Sequence, residues 1–97
     1  MSALSELTAS AHYILKRDAI GELRAATLEY DQRRKHLRLT FFLVGNPEDV
    51  ALSELELAST EIVASCWQVI GTAGTIYVFD ELLLANALSS PALIYQP

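Results

Sequence analysis

At Gly45-Asn46-Pro47-Glu48-Asp49 the chain changes its hydrophobic period from two to about 3.6, and this switch limits the fold more than any other feature. Before it, residues 36–44 alternate. Leu37, Leu39, Phe41 and Leu43 share one side of a strand, and Arg38, Thr40, Phe42 and Val44 share the other. The first set requires a core. The second turns apolar at its end, so another element is expected to cover Phe42 and Val44, with an N-terminal helix as the candidate. In the punctuation itself, Asn46 suits an N-cap and Pro47 the first helical position. Glu48 and Asp49 suit the positive end of a helix dipole. A helix to about residue 67 follows. Ala51, Leu55, Ala58, Ser59, Ile62 and Cys66 fall on one face, which should pack on the sheet. Val50, Leu57 and Ala64 fall outward, with Glu54 and Glu61 on one flank and Asp49 and Glu56 on the other. The expected outer surface is a small apolar strip bordered by carboxylates.

The remaining segments complete one domain over residues 1–97. Residues 3–16 read as a first helix, because Leu4, Leu7, Ala11, Ile14 and Leu15 recur at spacings of three and four. Ser2 or Ser5 could cap it, Lys16 and Arg17 suit its last turn, and Gly21 is a natural stop. Residues 22–30 read as a strand, although neither alternating set is cleanly apolar. The polar run 31–35 is a hairpin connection. Residues 71–74 read as a turn and 74–79 as a third strand. Residues 80–89 fit either a short helix or irregular structure, and 93–96 a short edge strand after Pro91. The expected fold class is α+β: an N-terminal helix and a small mainly antiparallel sheet with one long helix packed on it. Ninety-seven residues suffice for a single core.

Charge is distributed unevenly. All seven lysines and arginines lie in the first 38 residues, which carry +2 in sum. The rest of the chain has seven acids and no basic side chain, and carries −7. Such a field repels nucleic acid and attracts basic proteins. No lysine or arginine follows in sequence to balance Glu54, Glu56 or Glu61. Asp80 and Glu81 add to the acidic part.

Few features point to catalysis. Gly71-Thr-Ala-Gly74 has neither the lysine nor the following helix of a phosphate loop. His12, His36 and Cys66 lack ligand spacing, so no metal and no cofactor is expected. Cys66 falls on the core face of its helix, where a thiol behaves as a small hydrophobe. The basic run Arg33-Arg34-Lys35-His36 sits in a hairpin turn and reads as a solvated charge run, against a net charge of −5. No disulfide can form from one cysteine, and no apolar segment approaches the ~20 residues of a membrane span. No signal peptide is apparent, and a cytoplasmic location is expected.

The central stretch resembles a known group. A strand, Leu37 to Val44, enters a Gly-Asn-Pro-Glu-Asp turn. A helix with Glu54-Leu-Glu56-Leu-Ala-Ser-Thr-Glu61-Ile-Val-Ala64 follows, and the chain finishes on Leu93-Ile-Tyr95-Gln96. Over about residues 22–97 this is similar to small bacterial immunity proteins of polymorphic toxin systems, including contact-dependent growth inhibition and colicin-like systems. The resemblance implies a non-catalytic toxin inhibitor that neutralises a cognate cationic toxin, often a nuclease, by stoichiometric occlusion. Partner-binding residues are then expected among Asp49, Glu54, Glu56, Leu57, Glu61, Trp67, Asp80 and Glu81, with Val50 as a further apolar contact. No direct nucleic-acid or membrane partner is expected.

A second class remains open. An apolar content of 52% is high for so small a body, and some of that surface should be covered by another protein. The alternative is a self-associating domain or obligate subunit, with the edge strand at 93–96 as a pairing point. Symmetric self-association without a partner would distinguish it from an inhibitor.

Overall fold

The computed structural model describes residues 3–44 and 49–97. The cap and turn positions expected at Ser2, Gly45, Asn46, Pro47 and Glu48 lie outside the described residues. The described elements are helix α1 (Ala3–Asp18), strands β1 (Leu23–Asp31) and β2 (His36–Leu43), helix α2 (Asp49–Ser65), strand β3 (Thr72–Val78), helix α3 (Glu81–Leu88) and strand β4 (Leu93–Tyr95). They form an α+β fold around a four-stranded sheet of order β3-β2-β1-β4. The sheet is mixed: β1 runs antiparallel to β2 and to β4, and β2 runs parallel to β3. Parallel neighbours need a crossover, and α2 supplies it. In place of one long helix, two helices of similar length, α1 with 16 residues and α2 with 17, share one core.

That core lies on one face of the sheet. Leu7, Ala11, Ile14 and Leu15 of α1 and Ala51, Leu55, Ala58 and Ile62 of α2 bury against Leu37, Leu39, Phe41 and Leu43 of β2. Leu4, expected on the same stripe, is half exposed in the first turn. Ser59 and Cys66 are only partly buried, at the margin of the α2 face.

The mixed pattern of β1 has a direct cause. Leu23 pairs with Leu43, but Ala25 pairs with Phe42, so the register slips by one residue at Arg24. A bulge moves every later side chain to the opposite side. Leu23, Ala26 and Leu28 therefore share the α1/α2 core, although strict alternation would separate Leu23 from the other two. Ala25 turns to the other face, against Phe42 and Ala87 of α3.

The second face is covered by α3, not by the first helix. The structure resolves the ambiguous leucine-rich segment as a helix held at its start by Asp80, whose Oδ1 accepts from Leu82 N at 2.8 Å and Leu83 N at 3.1 Å. Leu84 and Ala87 pack over Phe42, with Val78 and Leu93 beside them. Val44 lies just past β2, half-buried, and its N–H donates to Glu22 O at 3.3 Å.

Two loop expectations change. Gly21, the expected helix stop, has no positive φ. Ala19 takes the left-handed position instead, at φ 47°, one residue after α1 ends. The segment 71–74, expected as a turn, contributes to β3 from Thr72 onward, and Gly74 sits opposite Arg38. The ladder with β2 recruits it: Gly71 and Thr72 N–H both donate to Lys35 O, at 2.7 and 3.2 Å. The hairpin itself is as expected. Asp31 Oδ1 accepts from Arg33 N and Arg34 N, and Lys35 closes the loop in the left-handed region at φ 52°.

Candidate interaction surface

The outward side of α2 follows from its periodicity. With Ala51, Leu55, Ala58 and Ile62 directed into the core, Val50, Glu54, Leu57, Glu61 and Ala64 must face away from it. Leu57 is 71% exposed and Val50 64% exposed. Both belong to the apolar strip expected from sequence.

The carboxylates around that strip do not share one state. Glu61 is held by Arg17 of α1: Nη1 donates to Oε1 at 3.0 Å and Nη2 to Oε2 at 2.5 Å. Arg17 also reaches Asp18. The hydrogen bonds from Arg17 hold the Glu61 carboxyl below its ordinary value, while Glu61 and Asp18 push the guanidinium further up. The absence of a balancing cation, argued from the sequence near α2, therefore fails for Glu61. Its partner comes from 44 positions earlier in the chain. Glu54 and Glu56 are exposed, and among the described residues neither has a cationic partner. Glu56 lies on the flank toward β3, close enough to Tyr77 to act on it. Burial first, and the Glu56 charge second, raise the Tyr77 phenol above its ordinary value.

The other expected residues do not form one surface. Asp49 opens α2 and is exposed. Trp67 follows α2 in a turn, 69% exposed, beside a small cleft of ≈ 230 Å³ that includes Glu6 and Cys66. Asp80 and Glu81 start α3, which packs on the opposite face of the sheet, so they lie apart from the α2 strip. The Asp80 carboxylate is already occupied by the α3 amides.

A second exposed apolar region was not resolved from sequence. Ile76, Phe79, Leu82, Leu83 and Leu88 are each more than two-fifths exposed. The four leucines of α3 signalled burial by composition, yet only Ala87 of that helix is buried. Leu82, Leu83 and Leu84 are consecutive, so at 100° per residue they spread around the helix and cannot all face the sheet.

Several polar side chains, including both histidines, are engaged in structural hydrogen bonds. His12 Nδ1 meets Ile94 O at 2.8 Å, tying α1 to β4. His36 Nδ1 meets Thr72 Oγ1 at 2.7 Å across the parallel ladder. Tyr30 donates to Val69 O, and Ser59 pairs with Thr75 at 2.8 Å. An open cleft of ≈ 700 Å³ runs between α1 and β4 and is lined by Leu4, Thr8, His12, Leu93 and Tyr95 among others. Among the described residues no cluster of three His, Cys, Asp or Glu side chains could hold a metal, and no helix is long and apolar enough to cross a membrane. What the outer side of α2 presents is an acidic, partly apolar face.

Comparison with known proteins gives no matching family model and no matching curated sequence.

Proposed function

We propose that this chain is an immunity-type inhibitor that binds a cationic bacterial toxin domain through the outer face of α2. The observation that carries the reading is Leu57, exposed at the middle of that helix between Glu54 and Glu61. A central apolar side chain ringed by carboxylates matches a partner with basic groups around an apolar contact. The free charges of Glu54 and Glu56 raise the association rate. Leu57 and Val50, once desolvated, slow dissociation. Against a nuclease, these carboxylates stand where nucleic-acid phosphates would. The uneven charge of the chain, with no basic residue after Arg38, supports the same reading. A cytoplasmic site of action goes with it.

The test is co-expression with the domain encoded immediately upstream of this chain. Growth arrest relieved by the intact protein, and not by the Leu57→Asp or the Glu54→Lys/Glu56→Lys variant, is the expected result. Binding of the purified pair should weaken with salt, and less steeply in the double variant. A harmless neighbour, or equal protection by all the variants, overturns the proposal.

A further inference from the structure

The outer side of β3 ends the sheet, so among the described residues its backbone groups have no strand partner there. Sheet edges are ordinarily blunted by charges, proline, a bulge or brevity. The opposite edge, β4, is three residues long. In contrast, β3 has seven residues, Thr-Ala-Gly-Thr-Ile-Tyr-Val, with no charge and no proline. Its register with β2 runs without a shift from His36↔Thr72 to Phe42↔Val78. Ile76, on this strand, is 45% exposed. An edge this long, regular and neutral lacks the ordinary devices against pairing.

The charges at its two ends say what pairs with it. The start of β3 lies against the basic hairpin, because Gly71 and Thr72 N–H both bond Lys35 O. That hairpin carries Arg33, Arg34 and Lys35, all exposed. Among the described residues, Arg34 alone of the three has a carboxylate within reach, Asp31 at 4.0 Å. The other end of β3 leads through Phe79 to Asp80 and Glu81. Asp80 is occupied as a cap, and Glu81 is exposed without a cationic partner among the described residues. The strand is therefore neutral along its length, positive beside its start and negative beside its end.

We propose that two copies of this chain pair antiparallel through β3, making one continuous sheet about a two-fold axis, with Lys35 and Arg33 of each copy facing Glu81 of the other. Antiparallel pairing sets the positive end against the negative end twice, by symmetry. Parallel pairing would set like against like. A strand from a strongly cationic partner would be repelled by the hairpin at one end. Side-chain size agrees as well. With the axis at Thr75, Gly74 faces Ile76 of the second copy, and Ala73 faces its Tyr77, so each large side chain meets a small one. Glu56 flanks the seam beside Tyr77 in both copies and opposes the pairing, so the dimer dissociates readily. Leu57 is not among the residues of this seam, and the pairing stands whether or not the α2 strip binds a toxin.

The test is sedimentation velocity on the full chain from low micromolar to millimolar concentration, with circular dichroism confirming the fold of each variant. The wild type should show a concentration-dependent dimer. Ile76→Lys, which sets a charge in the seam, should remain monomeric throughout. Glu81→Lys and Lys35→Glu should each raise the dimer Kd roughly tenfold, since symmetry uses each contact twice. The double variant Glu81→Lys/Lys35→Glu should recover most of that loss. A wild type that stays monomeric at millimolar concentration overturns the proposal. So does a dimer that Ile76→Lys leaves intact, or a double variant weaker than both single ones.

Discussion

Arg17, in the last turn of α1, holds Glu61, near the end of α2, through two parallel N–H···O bonds. The pair ties together the two helices that share the main core. It also takes one carboxylate out of the acidic face that the α2 sequence presents. Glu61 thus joins the two helices and also lies within the face proposed for binding.

Removing the guanidinium should separate these roles. In Arg17→Gln, the Glu61 carboxyl should return toward its ordinary glutamate value, read by carbon NMR of the side chain across an acid titration. The sign is fixed by linkage. A depressed carboxyl adds stability above its unfolded value, and that stability is lost as pH falls through the depressed one. The variant should therefore lose less stability than the wild type on acidification through this range. An unchanged Glu61 titration would show that Arg17 does not hold it in solution.

Leu55 and Leu57 stand two positions apart on α2 with opposite fates, one fully buried and the other 71% exposed. Leu55→Ala should cost about 2–5 kcal/mol of unfolding free energy, from lost burial and the cavity left behind. Leu57→Ala should change it by less than about 0.5 kcal/mol. Urea denaturation of the two variants decides this. Similar losses would mean that α2 is rotated relative to the sheet.

The cap of α3 depends on one side chain. Asp80→Ala removes the acceptor of Leu82 N and Leu83 N and should destabilise by about 1 kcal/mol, whereas Asp80→Asn should retain most of it. Amide exchange at Leu82 and Leu83 should accelerate in the alanine variant. No change in exchange would place the start of α3 elsewhere.

Ala19 occupies the left-handed region at φ 47°, where a Cβ is strained. Ala19→Gly should therefore raise stability by about 0.5–1 kcal/mol, after allowing for the greater freedom of glycine when unfolded. The midpoint of denaturant unfolding measures it. A lower midpoint would mean that the strain is absent.

Local pattern carried much of the fold. The strand at 36–44, the hairpin after Asp31, the core face of α2 and the outward position of Val50 and Leu57 are all set by side-chain periodicity and turn chemistry, which act over a few residues. So is the short final strand at Leu93–Tyr95. The α3 segment was half legible. Its three consecutive leucines fit no single helical face, so periodicity did not choose between helix and irregular structure.

Other features needed the folded chain. The bulge at Arg24 moves β1 side chains across the sheet, and alternation alone cannot place an inserted residue. The parallel pairing of β3 with β2 depends on the path of α2, and it draws Thr72 and Ala73 from an expected turn into a strand. Phe42 is covered by α3 from later in the chain, not by α1. The partner of Glu61 lies on another helix, so the free acidic surface is smaller than composition implies. In sum of charge and in local period, this protein is determined by its sequence alone. Which carboxylates remain free, and which sheet edge stays open, only the tertiary structure decided, because contacts between distant segments form when helices and strands pack.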